Sequence, residues 1–172
     1  PAGVGILYGV SFAAPDDGWA VGADGSLLRW DGQIWTAQSN LGETNLRDVQ
    51  MLSSTDGWIA AEGGFLFHWD GRAWSEASSP TSLDIFSLAM QSAEQGWAVG
   101  DSGMVLHWDG LQWRPVIRPV ISSLNSISVV PGTDGEQVWV SGGSQNLLRW
   151  DGQSWQVEPG PAYSAPALLR LS

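Results

Sequence analysis

The chain of 172 residues contains no cysteine and no lysine; its seven basic residues are all arginine. Without cysteine, thiolate catalysis, disulfide staples and zinc–thiolate sites are excluded. Charge is sparse: 15% of residues are charged, against about 25% in an average soluble domain. The charge that exists is acidic, with 18 Asp and Glu and a net charge of −11. A clustered basic surface is what neutralises phosphates, so nucleic acid is excluded as a partner. The same sign argues against docking on anionic membrane. No run approaches the ~18 apolar residues of a membrane span, so direct membrane insertion is not expected. The first residues, Pro1-Ala2-Gly3-Val4-Gly5-Ile6-Leu7, lack a basic region and an initiator methionine. They do not read as a signal peptide but as a mature start or a cut.

Tryptophan, in contrast, is abundant, and it is periodic. All twelve tryptophans fall on one grid, with offsets 0, +11 and +16 repeated four times: 19, 30, 35; 58, 69, 74; 97, 108, 113; 139, 150, 155. The first tryptophan of each set recurs after 39, 39 and 42 residues. A period of ~40–50 residues points to a solenoid or a propeller. The intervening segments are short, β-branched or aromatic, and broken by Gly, Asp, Ser and Pro. They are strands and turns, without the i, i+3, i+4, i+7 spacing of helices. Four short strands per ~40-residue unit is the signature of a propeller blade.

The predicted fold is therefore all-β: a β-propeller of four-stranded antiparallel blades. One domain covers residues 1–172, with blades at 6–39, 45–78, 84–117 and 123–158. The stretch 165–172, Ala165-Pro166-Ala167-Leu168-Leu169-Arg170-Leu171-Ser172, reads as the start of a fifth blade. Five first strands and four of each later strand do not make a closed ring. The expectation is a segment of a larger ring, completed by the remainder of a longer chain or by self-association. The last two strands of each blade are joined by Asp-Gly: Asp31-Gly32, Asp70-Gly71, Asp109-Gly110 and Asp151-Gly152. Asp-Gly favours a two-residue type I′ hairpin. That turn pairs Trp30 with Gln33 and Leu28 with Trp35, and places Leu28, Trp30 and Trp35 on one blade face.

The Gly18-Trp19-Ala20-Val21-Gly22 core, repeated as Gly96-Trp97-Ala98-Val99-Gly100 and followed by Trp-Asp-Gly-x-x-Trp, resembles the Asp-box (BNR-like) propeller repeats. It looks most like the photosystem II stability/assembly-factor family and its bacterial relatives. The turn is one residue tighter than in an Asp box. The resemblance implies an extracytoplasmic propeller that holds proteins together, and it does not imply an enzyme.

The repetition also assigns the reactive side chains. His68 and His107 precede the second tryptophan of their blades, where the other blades carry Arg29 and Arg149. A position that accepts either residue reads as structural, not as a metal or general-base site. The hairpin aspartates read as turn residues that satisfy backbone amides. A calcium loop of the EF-hand kind, a Gly-x-Ser-x-Gly elbow and a phosphate loop are all missing. No catalytic residue, metal ligand or cofactor site is predicted.

Specific function is expected where the unit fails to repeat. One such place is the Arg114–Val120 junction, with Arg114 and Arg118; another is the Pro131–Glu136 loop, with Asp134 and Glu136. These four residues and Asp101 are the candidate partner contacts. One ring face should be strongly acidic, collecting Asp16, Asp17, Asp31, Asp56, Asp70, Glu94, Asp109, Asp134, Glu136 and Asp151. Arg114 and Arg118 are expected on the other face, with Asp24, Glu62 and Asp101. The functional expectation is an extracytoplasmic, non-catalytic module that binds or scaffolds a protein or complex. The alternative is carbohydrate recognition by exposed tryptophans, and a third reading is a glycosidase- or sialidase-type propeller. Burial of the tryptophans discriminates the first two.

Overall fold

The structure is a computed structural model that describes residues 5–117, 120–130, 137–143 and 147–158. It contains sixteen strands in four antiparallel sheets of four. The first blade comprises β1 (Leu7–Ala14), β2 (Asp17–Gly22), β3 (Leu27–Trp30) and β4 (Trp35–Ala37). The second comprises β5 (Leu46–Ser53), β6 (Asp56–Ala61), β7 (Leu66–Trp69) and β8 (Trp74–Ala77). The third comprises β9 (Ile85–Met90), β10 (Gly96–Gly100), β11 (Val105–Trp108) and β12 (Trp113–Pro115). The fourth comprises β13 (Leu124–Val130), β14 (Gln137–Gly142), β15 (Leu147–Trp150) and β16 (Trp155–Glu158). Strand order within each sheet follows chain order.

First strands of consecutive blades lie side by side, so β1, β5, β9 and β13 line the inner edge of the arc. Three apolar layers form between the blades. In the first, Trp19, Val21 and Leu27 pack on Leu46, Val49, Ile59 and Trp69. Trp58, Ala60 and Leu66 meet Ile85, Leu88, Ala98 and Leu106 in the second. In the third, Trp97, Val99 and Val105 meet Leu124, Ile127, Val140 and Leu148. Each internal blade is therefore apolar on both faces, as a sheet sandwiched between two others requires.

The hairpin register differs from the expected one. Trp30 pairs with Trp35, Arg29 with Thr36 and Leu28 with Ala37. The loop is thus four residues long, Asp31 to Ile34, and not a two-residue type I′ turn. The cause is the aspartate side chain. Asp31 Oδ1 accepts the N–H groups of Gln33 and Ile34 at 2.9 Å each, which stabilises the wider turn. Gly32 takes a left-handed φ of +93°, the conformation for which this position needs glycine. The other three hairpins repeat the pairing, with Trp69 opposite Trp74, Trp108 opposite Trp113 and Trp150 opposite Trp155. The expected sharing of a face by Leu28, Trp30 and Trp35 survives, because the shift is by an even number of residues.

The arc is open. Each blade packs on its neighbours in sequence, and among the described residues nothing packs on the outer faces of the first and fourth. Val10 is 59% exposed and Phe12 49% at one end; Leu147, on the face of Trp139, is 37% exposed at the other. The expected start of a fifth blade, 165–172, lies outside the described residues.

Candidate partner-binding surface

The antiparallel order puts the first and third turns of every blade on one face of the arc, here called the turn face. Four Asp-Gly hairpins define it. The N–H donors to each aspartate Oδ1 lie at 2.8–3.0 Å: Gln33 and Ile34, Arg72 and Ala73, Leu111 and Gln112, and Gln153 and Ser154. Donated hydrogen bonds favour the charged carboxylate. The N–H groups of Ile34 and Gln33 hold Asp31 below the usual carboxylate range, and those of Ala73 and Arg72 do the same for Asp70. Ser154 and Gln153 lower Asp151 in the same way. Asp109 is lowered to about 2, first by the Arg114 guanidinium and then by the N–H groups of Gln112 and Leu111. The four aspartates are therefore fixed negative charges.

A second layer sits beneath the hairpins. The residue before each third-strand tryptophan lies over the second-strand tryptophan of its own blade. The His68 ring packs on Trp58 with centroids 4.6 Å apart and His107 on Trp97 at 4.5 Å, tilted by 43° and 53°. The guanidinium carbons of Arg29 and Arg149 lie 5.1 Å from Trp19 and 5.9 Å from Trp139. Arg29 also reaches Asp17 at 3.3 Å, and His68 Nε2 meets Asp56 at 2.9 Å. A planar nitrogen-bearing group lies over the tryptophan in all four blades, which explains why His and Arg interchange there. The third-strand tryptophans brace the first turns: Trp30, Trp69 and Trp108 donate from Nε1 to the carbonyls of Pro15, Ser54 and Ala93 at 2.9–3.0 Å.

Among the described residues, Asp16, Asp31, Asp70, Glu94 and Asp151 are exposed on this face and form no salt bridge. The arginines are largely committed: Arg29 to Asp17, Arg47 to Glu62, Arg114 to Asp109 and Arg149 to Glu158. Arg114 corrects the expected distribution of charge. Its Nε lies 2.5 Å from Asp109 Oδ2, so it belongs to the turn face and not to the opposite one. The antiparallel register places it opposite His107, one residue beyond the hairpin tryptophan.

Asp101 does sit on the opposite face, in the 3₁₀ turn Asp101–Gly103. It accepts the Ser123 hydroxyl at 2.7 Å and the Ser102 hydroxyl at 3.2 Å, and so ties the third blade to the connection leading into the fourth. Glu62, at the matching turn of the second blade, bonds within its own blade, accepting from Asn45 Nδ2 at 2.8 Å and from Arg47, while Gly63 N–H donates to Asp84 Oδ1 at 2.7 Å on the connection into the third. The structure thus separates Arg114 from Asp101 on two faces. The other three candidate contacts, Arg118, Asp134 and Glu136, lie outside the described residues.

Sequence reasoning missed the inner edge. Asp48 lies within strand β5, and its Oδ2 accepts from Leu88 N–H at 2.8 Å and the Ser87 hydroxyl at 3.0 Å. Burial raises its carboxyl above the ordinary value, opposed by the bonds from Leu88, Ser87 and Val49. Gln50 adds a two-way bond to the Met90 backbone, at 2.6 Å and 3.0 Å. A concave space of about 730 Å³ opens beside Asp48 and Gln50, bounded further by Gln91, Gln95 and Ser128. The only signal in the sequence was a carboxylate in the middle of a strand otherwise expected to be buried.

No tryptophan is freely exposed; all twelve are buried or half-buried. Among the described residues, no three His, Asp or Glu side chains are grouped so as to hold a metal ion.

No protein-family model matches the chain, and no curated protein does. Solved structures do. A structure titled "YCF48 bound to D1 peptide" superposes with a TM-score of 0.72 at 17% identity, over 91% of this chain and 54% of that one. YCF48 from Cyanidioschyzon merolae superposes with a TM-score of 0.71 at 18% identity, over 94% of this chain and 59% of that one. The chain therefore spans little more than half the length of these neighbours. At such identity the likeness concerns the fold, and with the four stacked sheets it makes this chain an arc of a β-propeller.

Proposed function

We propose that this arc belongs to a non-catalytic, extracytoplasmic propeller that binds and scaffolds another protein, in the assembly or stabilisation of a membrane-bound complex. The carrying observation is the use made of its reactive groups. The hairpin aspartates cap backbone amides, the two histidines pack on tryptophans, and nine of the twelve tryptophans fill blade junctions. What remains available on the turn face is fixed negative charge on rigid turns. Such a surface suits a partner with basic or amide-rich segments, captured at a rate that falls with salt. A neighbour of the same fold is YCF48 bound to D1 peptide, which supports a protein as ligand class. The family that the repeat resembles suggests a photosynthetic complex as one such target. Arg114, set beside Asp109 at the edge of this face, and Asp101 on the opposite one are the described candidates for partner contact.

The lectin reading loses support, because sugar stacking needs freely exposed aromatic rings, and nine of the twelve tryptophans are taken up by the three blade junctions. The test is affinity capture from a native envelope fraction, with mass spectrometry, beside a glycan array. Recovery of a defined membrane complex, lost at high salt and lost again on Asp31→Asn/Asp70→Asn/Asp151→Asn, supports the proposal. Binding to glycans with no protein recovered would reject it.

A further inference from the structure

The second blade departs from the repeat in its two outer strands. After the 3₁₀ turn the first and third blades carry Ser26 and Met104, and the second carries Phe65. One backbone bond marks the shared position: the N–H groups of Gly22, Ala61 and Gly100 donate to the carbonyls of Ser26, Phe65 and Met104. Met104 is 4% exposed, folded into its blade junction, whereas Phe65 is 40% exposed. Two residues on, the leucine of the other blades is replaced by Phe67. Opposite it stands Glu76, where the other blades have Ala37, Pro115 and Val157. A further departure lies on the connection from the first blade. Glu43, two residues before Asn45, stands where Ser82 and Ile121 precede Asp84 and Ser123.

These departures converge on one place. Phe65 is extended, with φ −72° and ψ 138°, so it projects on the same side as Phe67, and Glu76 is the cross-strand partner of Phe67. The two rings stack with centroids 6.4 Å apart and planes 20° from parallel. With Leu41, Glu43 and Thr44 they line a hollow of about 330 Å³. Its walls are fixed: Phe67 belongs to the core between the first and second blades, and Thr44 donates to the Glu62 carbonyl at 3.0 Å. Glu43 and Glu76 are exposed, and among the described residues neither carboxylate forms a hydrogen bond or salt bridge. Blade construction does not require this cluster, because the other blades are built without it. A neutral occupant would take water from both carboxylates without pairing them, at a cost in free energy. A cation on an apolar stem supplies the counter-charge and the contact with the rings together.

We propose that this hollow receives a lysine or arginine side chain of a partner protein, its methylenes on Phe65 and Leu41 and its charged head at Glu43 and Glu76. The volume suits a single side chain, being at the small end of ligand sites. The inference rests on the reading that the partner is a protein. It adds to the acidic hairpins a separate anchor beside the Glu62–Gly64 turn, on the opposite face.

Amide and aromatic NMR spectra of the 172-residue chain test it, titrated with N-acetyl-lysinamide, N-acetyl-argininamide and the uncharged N-acetyl-norleucinamide. The expected result is saturable shifts at Thr44, Phe65 and Phe67 with a cationic probe, at a dissociation constant on the order of 10 mM. The tighter of the two cations identifies the residue type, and norleucinamide should bind roughly tenfold more weakly than it. Glu43→Gln/Glu76→Gln should weaken the cation roughly tenfold and leave norleucinamide unchanged. Both side chains are exposed and unbonded, so this variant should keep the native amide dispersion. Asp31→Asn/Asp70→Asn/Asp151→Asn should not alter the titration, which separates failure of this pocket from failure of capture by the turn face. Norleucinamide binding as tightly as the cations overturns the proposal. So do cation shifts that vanish with the turn-face aspartates, or the lack of any saturable shift at the three residues.

Discussion

The first glycine of the Gly-Trp core is decided by the residue across the hairpin from it. Gly18 stands opposite Phe12, Gly57 opposite Met51 and Gly96 opposite Met90. A Cβ at any of these glycines would run into the facing ring or thioether. The fourth blade balances the same volume differently, with Val138 opposite Val129. The pair, not the glycine, is the unit under constraint. Gly96→Val should therefore destabilise the chain by about 1–3 kcal/mol through overpacking, and Met90→Val in the same molecule should recover most of it. Urea midpoints of the four species in that cycle measure the coupling; simple additivity would contradict the pairing. Asp109 supplies a second test at this scale. Its carboxyl is lowered to about 2, mainly by Arg114, so the stability it contributes is present above about pH 4 and is lost as pH falls toward 2. Asp109→Asn should flatten the acid limb between those values, so that the thermal midpoint falls less than wild type's between pH 4 and pH 2. The hairpin aspartates were legible as turn residues from repetition alone. Their two-amide geometry was not, because one dipeptide is compatible with both a two-residue and a four-residue loop.

Among the elements, the inner strands depart most from what the repeat announces. Asp48 and Gln50 on β5 bond to the backbone of β9, and Ser11 on β1 bonds to β5. These clamps tie neighbouring blades at the edge that the tryptophans do not reach. Asp48→Ala leaves the Leu88 N–H and the Ser87 hydroxyl without their acceptor and should cost about 1–3 kcal/mol. Asp48→Asn keeps one acceptor oxygen and sheds the half-buried charge. Burial raises the Asp48 carboxyl, so the stability linked to its protonated form is full below about pH 4 and is lost as pH rises through the raised value. Asn should hence be close to neutral at pH 7 and should remove this component of the pH dependence. Chemical denaturation of both variants at pH 4 and pH 7 checks it: equal losses for Ala and Asn at pH 7 would mean that Asp48 does not act as an acceptor. No motif marks these residues, since each acts on a strand about 40 residues away.

For the molecule as a whole, the tryptophan grid is a stacking code. The second-strand ring projects forward into the next blade and the other two face backward, so every internal junction holds three rings. Twelve tryptophans with none freely exposed predict a specific optical behaviour. Native emission should be blue-shifted and weakly quenched by acrylamide, with a jump in quenching on unfolding. A large accessible fraction in the native state would contradict the stacking and reopen the lectin reading. At this scale the turn-face acidity was legible from turn positions, whereas Arg114 was misplaced. Its side chain turns back over the hairpin to Asp109, and a strand assignment does not reveal which way a long side chain leans.

Composition and spacing by themselves determined the strand count, the blade period and the structural role of the tryptophans, histidines and hairpin aspartates. Those properties recur in every unit, and recurrence is visible along the chain. Tertiary structure alone decided the hairpin register, the face on which Arg114 lies and the clamps along the inner edge. Each of these depends on which side chains and amides come within a few ångströms, a pairing set in the folded chain and not written in any one repeat.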